Sequence, residues 1–245
     1  MTGSDVIIEA FTELAPCYEE TMDRELGEFL GLSYKEFVDR LIEAASIKEG
    51  DVVLDVATGT ALIPLRLADK VGARGRVVGL DITPAMLQHG RENVEATGLS
   101  SCISLVCASA MVMPFVEGDF DVVMCGFGMH HLDVHRALSE VRRVLKMGGK
   151  LIIAAAGVSA FWRSFLWIAL LKVLLIGYGL TQKGARVQAE VEAIPNFRTA
   201  DEWHTILSDS GFAKIEIIKS QARRPWYPYA LTMRAVAGGD SKAHC

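Results

Sequence analysis

Short apolar runs alternate with helix-like segments through most of the chain, and this alternation constrains the fold more than any other feature. The runs are rich in Val, Leu and Ile, are bounded by Gly or Asp, and are separated by segments of ten or more residues with helical spacing. Continuous apolar runs of this length are typical of strands that are buried on both faces of a parallel sheet. The sequence therefore predicts an α/β protein with a doubly wound, mostly parallel sheet.

The bounds of the predicted elements follow from the same pattern. Strands are expected at 52–56, 76–81, 103–107, 121–126, 150–156, 213–219 and about 230–237. Helices are expected at about 6–14, 34–45, 61–70, 84–97, 134–145 and 200–209. The 245 residues fit one domain, with a helical cap over 1–49, a cofactor-binding core over 50–156, an insertion over 157–200, and a C-terminal helix and strands over 201–245.

A turn of small residues follows the first predicted strand, in the stretch VVLDVATGTALIPL (52–65). Gly59 has no side chain, so a ligand can approach the main chain there, and the next helix offers free N–H groups. Asp81 closes the second predicted strand, where a carboxylate can accept hydrogen bonds from two ribose hydroxyls. Because the turn lacks the three glycines that hold a pyrophosphate, we expect a nucleoside-containing cofactor rather than a dinucleotide.

Three motifs, in this order, resemble class I S-adenosylmethionine-dependent methyltransferases, especially the branch of the ubiquinone/menaquinone C-methyltransferases and their small-molecule relatives. The motifs are VLDVATGTA, VVGLDITPAMLQHGREN and MPFVEGDFDVVMCGFGMHHLDVHRALSEVRRVLKMGGKLII. The resemblance covers roughly residues 11–156. It implies a seven-stranded Rossmann-like methyltransferase fold and S-adenosylmethionine as the methyl donor.

The resemblance also implies which residues bind the donor. In chain order they are Tyr18, Asp55, Ala57, Gly59, Asp81, Ile82, Met86, Ser109, Ala110, Met111 and Gly126. Asp55 and Gly59 would shape the pocket for the methionine portion, and Asp81 would hold the ribose. Gly126 would line the passage to the sulfonium. Tyr18 would cover the donor from the N-terminal segment, although ordinary helix packing explains this aromatic equally well.

The adenine end departs from the family pattern at one position. Ile82 and Met86 would flank the adenine, and Ala110 and Met111 would lie at its edge. The family usually has Asp after the third strand, where this chain has Ser109. A serine hydroxyl accepts a hydrogen bond from the adenine amine more weakly than a carboxylate does, so we expect lower donor affinity.

His130 and His131, in GMHHL, are the candidate catalytic residues because they follow the fourth strand near the expected methyl end of the donor. Methyl transfer from a sulfonium depends mainly on holding donor and acceptor in attack geometry, and it needs a base only when the acceptor is protonated. One histidine would therefore orient or deprotonate the acceptor. The alternative is that the pair stabilises the loop and caps the next helix. No metal site is expected, because the five cysteines are scattered.

The insertion stretch GVSAFWRSFLWIALLKVLLIGYGL (157–180) indicates a hydrophobic acceptor, such as a quinone precursor, a lipid or a polyketide-like molecule. The surrounding residues 141–189 carry eight basic and no acidic side chains, which suits an anionic membrane surface. Two alternatives stay open. The insertion would also serve as a homodimer interface, and its bases would also be matched by residues 1–51, whose net charge is −9.

The overall composition excludes several classes of function. A net charge of −5 without an aromatic-interleaved basic groove argues against nucleic acid as a partner. The odd number of cysteines indicates a reducing compartment, and the acidic N-terminus lacks a secretory signal, so a cytoplasmic location is expected. Within the same fold, the alternative to a methyltransferase is a cofactor-binding protein that rearranges a bound molecule or plays an accessory role.

Overall fold

The computed structural model describes residues 3–157, 185–224, 227 and 229–238. Seven strands form one sheet. They are β1 (Val52–Val56), β2 (Arg76–Asp81), β3 (Ile103–Cys107), β4 (Phe120–Gly126), β5 (Leu145–Gly157), β6 (Phe212–Lys219) and β7 (Tyr229–Ala237). Their order across the sheet is β3-β2-β1-β4-β5-β7-β6, and the first five strands are parallel. The predicted fold class is confirmed.

Helices cover both faces of the sheet. The described residues contain α1 (Gly3–Leu14), α2 (Tyr18–Phe29), α3 (Tyr34–Ala45), α4 (Leu62–Val71), α5 (Pro84–Thr97), α6 (Val134–Val144), α7 (Ala185–Ala193) and α8 (Ala200–Asp209). Short 3-10 turns lie at Ala15–Cys17, Met129–His131 and Ile194–Asn196.

Two apolar clusters hold the helices to the sheet. One cluster joins α6 and α8 to one face, and the other joins α3, α4 and α5 to the opposite face. Neighbouring residues on a strand point to opposite faces, so Val53 belongs to one cluster and Leu54 to the other. Both residues are fully buried, as expected for a strand in the centre of a doubly wound sheet.

The strand order places a topological switch point between β1 and β4. The chain leaves β1 to form β2 on one side and β3 beyond it, then returns to form β4 on the other side. The connections after β1 and β4 therefore diverge and leave a crevice at the carboxyl ends of these strands, where such folds bind ligands. On the far side, β7 runs antiparallel between β5 and β6.

The structure extends several predicted elements, β5 most of all, and adds two helices. β5 begins at Leu145 rather than at 150, because Leu145 pairs with Phe120 before the ladder shifts register and resumes at Lys150. The sequence pattern did not predict α2 and α7 as separate helices. α7 packs on α1 through a small cluster of Val6, Ala10 and Ala189.

Most of the predicted apolar insertion, residues 158–180, lies outside the described residues. Among the residues that the structure does describe, no helix is long and apolar enough to cross a membrane. The proposed division into cap, core, insertion and C-terminal part stays a prediction.

Candidate active site

A cleft of about 750 Å³, counting its open mouth, lies at the carboxyl ends of β1, β2 and β4. Its floor comes from the loops after these strands, and α1 closes one side. The lining residues are Ser4, Ile7, Phe11, Tyr18, Ala57, Gly59, Leu80, Asp81, Ile82, Thr83, Met86, Ala108, Ser109, Ala110, Met111, Gly126, Phe127, Gly128, His131 and Leu132.

The loop after β1 turns sharply through residues with left-handed backbone. Ala57, Gly59 and Ala61 have φ angles of 58°, 55° and 66°, so two alanines adopt a conformation that favours glycine. Such strain costs of order 1–3 kcal/mol per residue and is often found where backbone N–H groups must face a ligand. The loop is buttressed by Gly128, where an added Cβ would lie 2.5 Å from the Cβ of Ala57.

Asp81 fixes the loops on either side of the cleft. Its Oδ2 accepts a hydrogen bond from the Gly59 N–H at 2.9 Å, and its Oδ1 accepts one from the Thr83 N–H at 2.9 Å. The Thr83 hydroxyl and the Ile82 N–H also donate to this carboxylate, so a ribose hydroxyl would share its oxygens with these protein donors. Burial raises the pKa of Asp81, and the backbone donors at Thr83 and Gly59 oppose that rise. The residue is 8% exposed and faces the cleft.

Asp55 lies behind the cleft rather than in its lining. The side chain is fully buried, and neither carboxylate oxygen has a hydrogen-bond partner among the described residues. Burial raises the pKa of this carboxyl to about 7; the nearby Thr58 hydroxyl opposes the rise without reaching normal hydrogen-bond geometry, and Asp81 adds to it. Asp55 can therefore act on a bound molecule only through the loop that it supports, or after that loop moves.

Tyr18 lies over the glycine of the loop. Its ring is 3.6 Å from the point where a Cβ on Gly59 would stand. Two further hydrogen bonds anchor this region: the Thr60 hydroxyl donates to Oε1 of Glu19 at 2.8 Å, and Nδ2 of Asn93 donates to the Thr60 carbonyl at 3.1 Å. The start of α2 therefore covers the loop that the sequence assigns to the methionine portion of the donor.

The adenine end of the predicted site combines apolar walls with one hydroxyl. Met86 is buried at the base of α5, and Ile82 precedes it at the rim. Oγ of Ser109 accepts a hydrogen bond from the Met111 N–H at 3.2 Å, so the loop is held in a tight turn. This bond uses one lone pair of the hydroxyl, which leaves its proton and its second lone pair for a ligand.

The two histidines have different surroundings. His131 lines the cleft, and its ring meets Phe11 edge-on with centroids 5.2 Å apart. Burial, and then the charge of Arg186, lower the pKa of His131 to about 4. His130 is buried behind it and stacks on Phe197 at 5.4 Å, and its Nδ1 has no hydrogen-bond partner among the described residues. Burial lowers the pKa of His130 well below its ordinary value.

Eleven of the thirteen residues that the sequence singled out for the site line this cleft, and the exceptions are Asp55 and His130. The sequence missed the contribution of α1, which supplies Ser4, Ile7 and Phe11. Their spacing of three and four residues places them on one helical face, and this was the available signal. Among the described residues, no group of three or more His, Cys, Asp or Glu side chains could hold a metal ion.

Two solved structures share this architecture. A SAM-dependent methyltransferase from Aquifex aeolicus is 20% identical, with a TM-score of 0.62 over 91% of this chain and 98% of that one. A geranyl diphosphate C-methyltransferase from Streptomyces coelicolor A3(2) is 14% identical, with a TM-score of 0.67 over 90% of this chain and 84% of that one. At these identities the similarity shows the fold, which is a doubly wound sheet with its cleft at the carboxyl ends of the strands.

The family follows from sequence comparison. The model of the ubiE/COQ5 methyltransferase family matches residues 11–222, and the chain belongs to this family. The ubiquinone/menaquinone biosynthesis C-methyltransferase UbiE of Geotalea uraniireducens is 28% identical over 213 residues, covering 86% of this chain and 89% of that protein. The demethylmenaquinone methyltransferase of Symbiobacterium thermophilum is 30% identical over 194 residues, covering 75% of each. The protein is therefore an S-adenosylmethionine-dependent methyltransferase, and the non-methylating alternative is not favoured.

Proposed function

We propose that this protein methylates a ring carbon of an isoprenoid quinone precursor in its reduced, hydroxyl-bearing form. The main observation behind this proposal is that two kinds of surface share one cleft. One is the site around Asp81 and Gly59, which suits a nucleoside, and the other is an apolar wall that contains a neutral histidine. Ile7, Phe11 and His131 form this wall. The names of the two relatives support the acceptor class, because they refer to ubiquinone, menaquinone and demethylmenaquinone.

The donor fits the residues that are present. We assign the ribose to Asp81, whose carboxylate lines the cleft, and the adenine to the apolar walls of Ile82 and Met86. The methionine portion is assigned to the left-handed loop at Ala57 and Gly59, where the glycine leaves the backbone open to a ligand. When bound, S-adenosylmethionine supplies a methyl group that is already activated by the sulfonium.

The chain's own contribution is to position the acceptor and to exclude water. Phe11 and Ile7 of α1 give an aromatic ring an apolar surface, and an acceptor packed on it would displace water from the cleft. His131 is neutral above about pH 5, so its imidazole can accept a proton from an acceptor hydroxyl and make the ring a better nucleophile. Its low pKa makes it a weak base, so we expect positioning to supply most of the acceleration.

The acceptor can be tested directly by product analysis. Purified protein is incubated with S-adenosylmethionine and either a reduced demethylmenaquinone or the corresponding quinone, and the products are separated by mass spectrometry. We expect a product heavier by one CH₂ with the reduced compound and little with the quinone, since only the hydroquinone ring is electron-rich. Asp81→Asn should abolish both S-adenosylhomocysteine binding and turnover. Donor binding without methylation of either compound would contradict the proposed acceptor.

His131→Gln separates positioning from proton transfer at the histidine. Glutamine keeps a hydrogen-bonding side chain but cannot hold a proton, so turnover should fall about 10²-fold if His131 is a base. Affinity for S-adenosylhomocysteine, measured by calorimetry, should stay the same because the donor residues are untouched. Unchanged turnover would assign the histidine pair to loop stability instead.

A membrane contact and a homodimer stay part of the proposal. Their support is the basic, apolar sequence of residues 141–189, most of whose insertion lies outside the described residues. Co-sedimentation with vesicles that contain anionic lipid should pellet the protein at low salt and release it at high salt. Light scattering of the same sample gives the oligomeric state. A monomer that fails to pellet at low salt would contradict both ideas.

A further inference from the structure

Tyr34, at the start of α3, is paired with the tyrosine that covers the glycine loop. The rings of Tyr18 and Tyr34 meet edge-on with centroids 6.0 Å apart, and their hydroxyls are hydrogen-bonded. Burial is the main reason that the pKa of each phenol lies above its ordinary value. Both groups therefore stay protonated, and each brings one O–H donor to the contact.

The positions of the two residues determine which hydroxyl donates. Tyr18 lines the cleft, whereas Tyr34 lies behind it and outside the lining. The oxygen of Tyr18 is the hydrogen-bond partner that the described residues offer to the Tyr34 hydroxyl. A buried hydroxyl that fails to donate a hydrogen bond lowers the stability of the fold by about 1–3 kcal/mol. The Tyr34 hydroxyl therefore donates to the oxygen of Tyr18. The proton of Tyr18 is then free to point into the cleft, where a ligand can accept it.

We propose that Tyr34 is a positioning residue that turns the Tyr18 hydroxyl towards the cleft, so that Tyr18 donates a hydrogen bond to the carboxylate of the methyl donor. The proposal rests on the proposed donor site and deepens it. The acceptor must be a group of the bound donor that lies near Gly59, since the Tyr18 ring stands 3.6 Å from the Cβ position of that glycine.

Charge selects the carboxylate among the groups of the donor. The methionine portion carries an ammonium, a sulfonium and a carboxylate, and only the carboxylate is an anion that strongly accepts from an O–H. The loop itself offers few donors for this anion, because the Gly59 N–H donates to Asp81 and the Ala61 N–H donates to the Thr58 carbonyl. Asp81 lies near the Tyr18 hydroxyl and raises its pKa, so this carboxylate favours the ammonium on its own side.

The test compares two ligands that differ only in the carboxylate: S-adenosylhomocysteine and its decarboxylated analogue, S-adenosyl-3-thiopropylamine. Calorimetry gives both dissociation constants for the wild type, Tyr18→Phe, Tyr34→Phe and the double variant. Tyr227→Phe is the matched control, since Tyr227 pairs with Phe29 outside the cleft. Phenylalanine keeps each ring and removes only the hydroxyl, and thermal unfolding confirms that each variant is folded.

We expect Tyr18→Phe to weaken S-adenosylhomocysteine binding about tenfold, as for loss of a hydrogen bond to a charged group. Tyr34→Phe should weaken it about fourfold, because the Tyr18 proton is then no longer directed. The double variant should resemble Tyr18→Phe, because Tyr34 acts through Tyr18. Binding of the decarboxylated analogue should be equal in all five proteins.

Three results would overturn the inference. Equal weakening of the binding of both ligands would indicate that the tyrosines act by packing. Additive losses of affinity in the double variant would show that the two tyrosines act independently. An unchanged affinity in Tyr34→Phe would show that Tyr34 has no role in donor binding. If the analogue binds too weakly for calorimetry, the double-variant comparison decides by itself. Failure of the wild type to bind S-adenosylhomocysteine would instead contradict the proposed donor site, so the two failures are distinguishable.

Discussion

The carboxyl group of Asp55 is buried beneath the cleft without a hydrogen-bond partner among the described residues. Its pKa is raised to about 7, whereas an unfolded aspartate ionises near pH 4. Between these values the folded protein holds a proton that the unfolded chain has lost. The free energy of unfolding therefore falls as the pH rises through this window, by about 4 kcal/mol in total.

Asp55→Asn should remove this pH dependence. The amide imitates the protonated carboxyl and cannot ionise, so the variant should gain about 2.5 kcal/mol relative to the wild type between pH 5 and pH 8. Urea unfolding at the two pH values measures the difference, and any fixed effect of the amide cancels. Parallel pH profiles for both proteins would show that water or a moving loop already solvates the carboxylate.

His131 produces the opposite dependence in acid. Burial and Arg186 hold its pKa at about 4, below the value of about 6.5 in an unfolded chain. The neutral histidine therefore contributes roughly 3 kcal/mol to the free energy of unfolding above pH 6.5, and this contribution is lost as the pH falls through about 4. In His131→Gln, unfolding by urea should therefore vary less between pH 7 and pH 4. A variant as acid-sensitive as the wild type would assign the effect to His130 or to carboxyl groups.

At the scale of elements, a capping box starts α8, the helix that carries the fully buried Trp203 and Leu207 into one apolar cluster. The Thr199 hydroxyl accepts from the Glu202 N–H at 3.3 Å, and the Glu202 side chain accepts from the Thr199 N–H at 2.8 Å. Thr199→Ala leaves the backbone N–H of Glu202 without this acceptor. We expect a loss of about 1 kcal/mol in the free energy of unfolding.

Thr205→Ala is the matched control for this cap. Thr205 lies in the same helix, is exposed, and donates to the Asp201 carbonyl at 3.0 Å within the helix. Alanine has the higher helix propensity, so this variant should be unchanged or up to about 0.5 kcal/mol more stable. Equal losses in both variants would indicate that threonine packing, rather than the cap, supports α8.

The elements that the sequence could predict are those whose apolar residues reach a core. β2, β3, α5 and α8 begin and end at the predicted residues, because buried runs and clear breakers mark their bounds. α2 could not be placed, since only Thr21 and Leu26 are buried along its twelve residues and its face is largely charged.

The site was predictable wherever a motif residue also lines the cleft. The sequence assigned Asp81 and Gly59 to the donor, and the structure brings them together through a hydrogen bond between Asp81 and the Gly59 N–H. It could not show that Asp55 faces away from the cleft, because burial at the end of a strand depends on neighbouring strands. Nor could it pair Tyr34 with Tyr18, since that contact depends on how α2 and α3 pack.

At the scale of the molecule, the cleft is closed by the part of the protein with the smallest core. α1 supplies Ser4, Ile7 and Phe11 to the cleft, but its buried residues Val6 and Ala10 belong to a small cluster with α7, separate from the two large ones. An element with few buried contacts opens at a lower free energy than the core. Closure of the cap should therefore be linked to occupancy of the cleft.

Hydrogen exchange can measure this linkage. Without ligand, amides of residues 4–14 should exchange faster than those of β1 and β4. Saturating S-adenosylhomocysteine at about 100 times its dissociation constant should slow exchange in α1 and in residues 57–61 by up to about 100-fold. Amides of β6, at the far edge of the sheet, serve as the internal control. Equal slowing in α1 and β6 would mean that the ligand acts on the whole fold rather than on the cap.

The position of β7 has a consequence for the order of assembly. It pairs with β5 over eight residues, yet it is the last strand along the described chain. During synthesis, every residue that lines the cleft leaves the ribosome before β7 does, while the edge of β5 still lacks its neighbour. The nascent chain therefore passes through a stage at which its ligand-binding half is complete but an open sheet edge is exposed, and this edge is where a chaperone or an aggregating partner would attach.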